Sequence, residues 1–261
     1  MYTFLKLTFV GLVVFVGVAL AAQPALAQDV ADPTAPTANP TVTIGHFAPF
    51  AADVAGTAVD VRVNGTLVFT NVVYGTFVAD VELVAGATLF ELMEPGTETT
   101  IISQTENMVA DSRYYLLAIG GVNTYPVALR WQMLDKVAPA GKSRITVGHL
   151  APFDANIAFT AVNICTDDGE VIIGNLRYGD IRANLDLEPG IYDLKIMSAV
   201  FGTCGILVFD MPPFSLAAGD YRDAFAVGLR DVDAFPPNIV TTTGLMTFFN
   251  FLPTVLKAIA E

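Results

Sequence analysis

The sequence predicts an all-β protein made of two tandem immunoglobulin-like antiparallel β-sandwich domains, and three observations carry this prediction. An octapeptide that begins at Thr43 returns at Thr146, and further matches continue as far as Gly86 and Gly190. Each copy alternates apolar and polar residues over short runs separated by turn residues, at about seven strands in about 100 residues. Nothing between Thr41 and Val240 has the length and period of a helix. Such a repeated chain of short strands is typical of sandwiches rather than of helical or βαβ folds.

Residues 1–27 are interpreted as a secretory signal peptide. Lys6 is their one charged residue, an apolar run follows, and Ala25-Leu26-Ala27 has the small-x-small pattern that signal peptidase requires. An uncleaved anchor is the alternative, but the run is short for a span and Pro24 interrupts a helix. We therefore expect an extracytoplasmic protein that is secreted, periplasmic or at the cell surface, with no membrane span after cleavage.

The charge of the chain restricts its partners. The chain has 13 Lys and Arg against 26 Asp and Glu, and removal of the signal takes away Lys6 and no acidic residue. A surface of this sign repels nucleic acid and anionic lipid headgroups, so we expect no nucleic-acid partner. Solubility outside the cell and the collection of divalent cations both fit this charge.

The predicted organisation follows from composition and turn signals. Residues 28–41 are rich in Pro, Ala and Thr, as in an extended linker. The first domain spans 42–136, a hinge spans 137–142, and the second domain spans 143–240. In the first domain the predicted strands are Ala58–Val63, Leu67–Thr70, Phe77–Leu83, Ala87–Met93, Ser112–Ile119 and Pro126–Leu134. In the second domain they include Ile181–Leu187, Ile191–Met197, Gly205–Asp210 and Tyr221–Gly228.

Residues 241–261 are predicted to form a strand followed by a short amphipathic helix. Apolar residues recur at helical spacing from Leu245 to Ile259. Pro253 restricts the helix to Leu252 and beyond, because proline is tolerated only in the first turn. This tail either packs on the second domain or serves as a docking element for a partner or a membrane surface, and it also allows self-association.

The two cysteines, Cys165 and Cys204, both lie in the second copy. In an exported protein, a pair confined to one domain indicates an internal disulfide. Two buried free thiols are the alternative.

The two histidines, His46 and His149, occupy equivalent positions in the two copies. We interpret them as framework residues at a strand end, each bonded through a ring nitrogen to the following loop or, in the first copy, to Asp60. Asn163 stands at the equivalent of Asp60, and this loss of charge argues against a shared acid–base role. A ligand or metal contact is the alternative. The repeated structural motif comprises His46, Pro49, Asp60, His149, Pro152 and Asn163.

Motifs for catalysis are absent from the sequence. No serine lies in a Gly-x-Ser-x-Gly elbow, and there is no phosphate-binding loop. A carboxylate pair for glycoside hydrolysis stays open, because the separation of two acids depends on the fold. Asp167, Asp168 and Glu170 form the densest acidic cluster and are weak candidates for calcium ligands, with an ordinary hairpin turn as the alternative. We expect no catalytic residue, cofactor or metal site.

The motif residues are similar to a known family. Gly45-His46-Phe47-Ala48-Pro49, followed by Ala58-Val59-Asp60-Val61-Arg62-Val63-Asn64-Gly65, resembles the His-x-Ser-Pro…Val-Asp-Val-x-Val-Asn-Gly pattern of the DUF4397 family. The hinge Pro139-Ala140-Gly141-Lys142 is also similar to that family's link between copies. Ala48 and Ala151 stand where the family has Ser, and the second copy lacks the Val-Asp-Val and Asn-Gly signatures. The resemblance covers roughly Thr41 to Val240 and implies an exported β-sandwich, often in tandem and often at the cell surface, with no catalytic residues to carry over.

These observations lead to an expected function. We expect a non-catalytic binding, adhesion or assembly module of the cell envelope, with an envelope protein or polysaccharide as partner. Duplication fits this role, because two linked weak sites gain avidity. The alternatives are a secreted carbohydrate-active hydrolase and a carbohydrate- or calcium-binding module.

Overall fold

The computed structural model describes residues 38–122, 124–199, 203–242 and 244–246, and these belong to one compact unit. The predicted signal peptide, residues 28–37 of the linker and the tail from residue 247, with its predicted helix, lie outside these residues. The described chain is all-β, as predicted, apart from two short 3₁₀ helices at Ala55–Thr57 and Ile157–Thr160. None of its helices has the length and apolar character needed to span a membrane.

The first copy forms two four-stranded sheets. Its strands are β1 (Thr41–Phe47), β2 (Val59–Val63), β3 (Thr66–Val72), β4 (Thr76–Glu82), β5 (Gly86–Met93), β6 (Thr100–Met108), β7 (Arg113–Ile119) and β8 (Ala128–Leu134). One sheet has the order β4-β1-β7-β8 and the other has the order β3-β2-β5-β6. Strand β6 was not predicted, because its exposed positions are polar and its apolar residues are few.

The second copy repeats this plan with shorter strands. They are β9 (Ser143–His149), β10 (Val162–Thr166), β11 (Val171–Leu176), β12 (Ile181–Leu187), β13 (Gly190–Tyr192), β14 (Leu194–Ser198), β15 (Leu207–Asp210), β16 (Phe214–Leu216), β17 (Tyr221–Val227), β18 (Asn238–Thr241) and β19 (Gly244–Met246). Two sheets have the orders β12-β9-β17-β18-β19 and β11-β10-β14-β15, and β13 pairs with β16 alone. The predicted strand Ile191–Met197 is therefore wrong as one element, since the chain leaves the sheet at Asp193 and its first part pairs elsewhere.

The strand pairs are antiparallel with two exceptions among the described residues. β1 pairs with β7 in parallel, and β9 pairs with β17 in parallel. The chain between each pair passes through the opposite sheet, which gives the long crossover that a parallel pair needs. The prediction of purely antiparallel sheets is corrected at these two places.

Strand β7 shows why the first copy reads as runs of apolar residues. Leu116 belongs to the core between the two sheets of the first copy. Leu117, its neighbour, belongs to a different core that also contains Phe225 and Val227 of the second copy. A strand that is buried on both faces has a continuous apolar sequence instead of an alternating one.

The molecule thus has three apolar cores. Each copy has its own core between its two sheets. The third core joins the β1/β7 sheet of the first copy to the β9/β17 sheet of the second. Its aromatic rings meet edge-on across the boundary, with Tyr115 and Phe225 centroids 5.2 Å apart and Tyr74 and Phe235 centroids 4.9 Å apart.

The repeated Gly-His dipeptide has a steric cause at this boundary. A Cβ atom on Gly45 would lie 2.7 Å from Leu117 and 2.8 Å from Phe77, and one on Gly148 would lie 2.5 Å from Phe225. Side chains of the third core pack directly on these two glycines. The glycine before each histidine is therefore required by the packing of the two copies.

Candidate functional site

The repeated histidines end strands β1 and β9 and are fully hydrogen-bonded. His46 Nε2 lies 2.7 Å from the carbonyl oxygen of Thr57, and the N–H of Ala48 donates to its Nδ1 at 3.3 Å. In the second copy His149 Nε2 lies 2.8 Å from the carbonyl of Thr160, and Nδ1 accepts from the N–H of Ala151 at 3.4 Å. A carbonyl only accepts, so Nε2 carries the proton and both rings are neutral.

Burial keeps these rings neutral. His46 and His149 are 1% and 2% exposed. Desolvation lowers the pKa of His46, and it lowers the pKa of His149 to about 4, although the carbonyl partner of each ring acts in the opposite direction. Each ring also stacks on the phenylalanine four residues later, with centroids 5.7 Å apart for Phe50 and 5.3 Å for Phe153. Because both nitrogens of each ring are hydrogen-bonded inside the fold, neither histidine is placed to act as a base or ligand.

The threonine whose carbonyl oxygen accepts a hydrogen bond from each histidine also holds the next loop in place through its hydroxyl group. Thr57 Oγ1 donates to the carbonyl of Val54 at 2.6 Å and accepts from the N–H of Tyr74 at 2.9 Å. Thr160 repeats this arrangement with Ile157 and Tyr178. Sequence reasoning missed these two residues, although their recurrence at the spacing of the histidines was a usable signal. The repeated prolines, Pro49 and Pro152, are buried beside the histidines.

Asp60 and Asn163 hold equivalent turns with different chemistry. Asp60 accepts from the N–H of Asn71 at 2.9 Å and from the N–H of Gly96 at 2.9 Å. Asn163 accepts from the N–H of Asn175 at 2.7 Å but donates through Nδ2 to the carbonyl of Thr203 at 2.8 Å. The second partner of Asp60 is a backbone N–H donor, whereas the second partner of Asn163 is a carbonyl acceptor. An amide can donate to that carbonyl and a carboxylate cannot, which explains the Asn in the second copy. The ring of His46 was predicted to bond to the following loop or to Asp60. It bonds to the loop, at the carbonyl oxygen of Thr57.

Tyr74 and Tyr178 connect the two copies. Their rings lie in the third core. Tyr74 Oη approaches the backbone of Gly228 in the second copy, and Tyr178 Oη approaches Gly120 in the first. Neither hydroxyl makes a hydrogen bond of normal geometry within the described residues. Burial raises the pKa of both, so they remain protonated.

The disulfide between Cys165 and Cys204 is present, with the sulfur atoms 2.00 Å apart. It ties β10 to the loop before β15. The first copy has Arg62 at the position of Cys165, and its guanidinium makes two bonds of 2.5 and 2.6 Å to Glu98. The same link between a strand and a distant loop is thus covalent in one copy and ionic in the other.

The acidic cluster forms the β10–β11 hairpin turn. Asp167 is paired with Lys195, and Asp168 accepts from Thr166 Oγ1 at 2.5 Å. The backbone N–H of Glu170 donates to the same Oγ1 at 3.0 Å. Among the residues that the structure describes, no group of three or more His, Cys, Asp or Glu side chains is arranged to hold a metal ion.

A polar cluster lies between the copies. Tyr115 Oη donates to Asp223 Oδ2 at 2.5 Å, and Asp223 also accepts from the N–H and Oγ1 of Thr242 at 2.7 and 2.5 Å. Lys136 Nζ lies 5.8 Å from the Tyr115 ring centroid and 5.2 Å from that of Tyr221. Burial, followed by the charge of Asp223, raises the pKa of Tyr115. Because three donors occupy the carboxylate, this cluster fastens the copies together and leaves no open acid–base pair.

The second copy contains a cavity of about 320 Å³ between its two sheets. Its wall is mostly apolar and includes Val147, Ile164, Leu194 and Ile196, and Asp223 is the one acidic residue among the described residues of the wall. An apolar cavity in a core lowers the stability of a fold, because the residues around it lose packing contacts. Sequence reasoning missed this cavity, because it results from small residues that are ordinary when each copy is read alone.

The fold and the repeated residues define an all-β protein of two joined copies, in which the recurring motif is framework. Residues 40–160 match the family model described as "Domain of unknown function (DUF4397)". This match covers the first copy and continues into the second as far as the 3₁₀ helix, and it confirms the resemblance over these residues. No curated protein matches the chain.

Proposed function

We propose that this chain is an exported, non-catalytic binding and assembly module, made of two tandem immunoglobulin-like sandwiches and located at the cell surface or in the envelope. The signal-like segment at residues 1–27 supports export. The Cys165–Cys204 disulfide supports it independently, because such bridges persist in oxidising compartments.

The observation that carries the binding role is a pair of uncharged sheet edges. β3 and β11 are the equivalent outer strands of their sheets. Of the described edge strands with six or more residues, only these two contain no charged side chain. Leu67 in β3 is 48% exposed and Val171 in β11 is 39% exposed. Edges that must stay single are usually protected by charges, and these are not.

The chemistry of these edges favours an extended polypeptide as the partner. A free edge presents a row of backbone N–H and C=O groups that a strand of another chain satisfies. Asn71 and Asn175 have φ of 53° near the end of each strand and bend it there. The free edges therefore comprise residues 66–70 and 171–174. Two such edges on one molecule allow it to connect partners or to gain avidity.

This proposal assigns no catalytic activity, because the repeated histidines are already hydrogen-bonded within the fold. Both nitrogens of His46 and His149 are bonded inside the fold. The large cavity has a single carboxylate in its wall, whereas glycoside hydrolysis needs two.

The test is capture from native envelope extract with the chain from residue 28 as bait. A Leu67→Lys/Val171→Lys variant adds one charge to each free edge and should lose the captured protein. Thr105→Lys is the matched control, since it adds the same charge to an exposed position of β6, an edge that already carries Glu106.

Hydrogen–deuterium exchange then locates the contact. With the captured protein bound, amides of residues 66–70 and 171–174 should become protected in the wild type. Protection elsewhere, or equal capture by the lysine variant, would reject strand addition at these edges.

A further inference from the structure

The cavity of the second copy has a specific origin, which appears when equivalent positions of the two copies are compared. Leu116 and Ala224 are equivalent, because they pair with the equivalent residues Ile44 and Val147. The same rule, applied to the neighbouring strand pairs, gives the equivalents of three more residues at one end of the core. In the first copy this end is filled by Phe90, Tyr114, Leu116 and Trp131. In the second copy the equivalent residues are Leu194, Arg222, Ala224 and Thr241.

The first copy packs this end tightly with rings. Tyr114 stacks on Trp131 with centroids 4.4 Å apart, and Phe90 lies 5.7 Å from the same indole. All four of the replacing residues in the second copy are in the cavity wall. The void therefore occupies the place of the aromatic cluster, and its shape is set by the backbone that the two copies share.

The mouth of the cavity is polar on one side. Arg222 is half exposed and lies in the wall, so the cavity reaches the surface beside it. Its guanidinium forms an ion pair with the Asp220 carboxylate at 4.0 Å. This separation is longer than a hydrogen bond, so the guanidinium N–H groups can still donate to an acidic head group. The wall also includes Pro212 and Pro213, from the segment between β15 and β16, and Phe214, the first residue of β16. An apolar interior with one cation at its mouth matches a molecule with a long apolar body and an acidic head.

We propose that the second copy binds one unbranched alkyl chain in this cavity, with an acidic head group at Arg222. An apolar cavity of about 150 Å³ holds a six-carbon ring, so a cavity of about 320 Å³ accommodates about twelve chain carbons. The ligand class is a fatty acid or the acyl chain of a single-chain lipid. This site shares Ile172 and Ile173 of β11 with one free edge, but it uses their side chains and not their backbone groups, so either proposal can fail without the other.

The first experiment uses the chain from residue 28 with N-phenyl-1-naphthylamine as a fluorescent probe. Laurate should displace the probe at a one-to-one ratio and raise the melting temperature of the protein. Octanoate should bind more weakly because it fills less of the cavity, and palmitate because it exceeds it. Lauroyl lysophosphatidylcholine, tested in parallel, shows whether the acyl chain of a lipid enters as well as the free acid. If neither the probe nor any chain binds, the proposal is wrong.

Cavity-filling variants identify the site. Ala224→Leu and Thr241→Trp each restore the residue of the first copy and should weaken laurate binding at least tenfold. Ala218→Leu is the matched control, because it makes the same change at an exposed turn position and should bind laurate as the wild type does. Unchanged binding by a folded Ala224→Leu protein would overturn the assignment. If that variant does not fold, the chain-length optimum of the wild type still decides the question.

Two further arms address the head group and the C-terminal tail. Laurate should bind more tightly than dodecanol, and Arg222→Gln should remove the difference; equal binding of both to the wild type would overturn the role of Arg222. Removal of residues 247–261 should leave laurate binding unchanged. Binding that appears only after this truncation would mean that the tail fills the cavity, and it would overturn the proposal for the intact protein.

Discussion

The two copies keep the same framework but fill it differently. Both bury a neutral histidine against a loop carbonyl, and both pack an aromatic or apolar side chain on the preceding glycine. The first copy then completes its core with Tyr114 and Trp131, whereas the second has a cavity there. The comparison shows that the repeated residues preserve the backbone, while residues that differ decide whether the interior is closed or open.

The links that hold the loops also differ. The first copy uses an exposed ion pair between Arg62 and Glu98, and the second uses a disulfide at the equivalent strand position. The covalent link lies in the copy with the larger void. This pairing suggests that the bridge offsets part of the stability that the open core loses.

The largest expected effect comes from opening the first copy. Leu116→Ala introduces the residue that the second copy has at this position, in a site that is 1% exposed. We expect a loss of about 4 kcal/mol in the free energy of unfolding, because the stacked rings nearby cannot collapse into the space. Urea unfolding measures this change, and Ala218→Leu serves as a surface control. A loss below about 1 kcal/mol would show that the first core is not tightly filled.

Removal of the disulfide should have the next largest effect. A Cys165→Ala/Cys204→Ala variant releases a loop of 39 residues. The chain-entropy estimate for a loop of this size is about 3–4 kcal/mol, lost from the free energy of unfolding. Reductant should lower the stability of the wild type to that of the variant and leave the variant unchanged. A wild type that is insensitive to reductant would mean that the bridge adds no stability.

The parts of this structure that the sequence could predict are those that depend on local chemistry. The repeat, the turns and the disulfide pair were readable, because Gly, Pro, Asn and Cys have few structural roles. The partner of Asp60 could not be predicted, because it depends on which backbone group of a distant loop lies beside the side chain. Asp60 meets an N–H group there, whereas Asn163 meets a carbonyl. The third core and the cavity were not readable either. Both depend on how two sheets pack face to face. The alternation of residues along one strand shows which face is apolar, but it does not show what packs against that face.

The buried histidines predict that the protein loses stability in acid. In the folded chain the pKa of His149 is about 4, against 6.5 for the unfolded residue. The unfolded state therefore binds the extra proton first, and the free energy of unfolding falls as pH drops from 6.5 toward 4. The shift corresponds to about 3 kcal/mol. His149→Gln keeps a donor for Thr160 and should remove this part of the pH dependence, as measured by urea unfolding at several pH values.

His46→Gln provides the matched comparison in the first copy. The pKa of His46 is also lowered by burial, so its removal should act in the same direction. Parallel pH profiles for wild type and His149→Gln would mean that the His149 ring is hydrated in solution.

The smallest expected effect tests whether the ionic link of the first copy is equivalent to the covalent link of the second. Glu98→Gln removes the charge that pairs with Arg62, and the glutamate side chain is 82% exposed. Exposed ion pairs contribute little, because water and salt screen the charges and two long side chains must be ordered. The melting temperature of Glu98→Gln should therefore equal that of the wild type at high salt and differ hardly at all at low salt. A large loss would mean that the Arg62–Glu98 pair holds the β5–β6 turn as firmly as the disulfide holds its loop, and the two copies would then be alike in this respect.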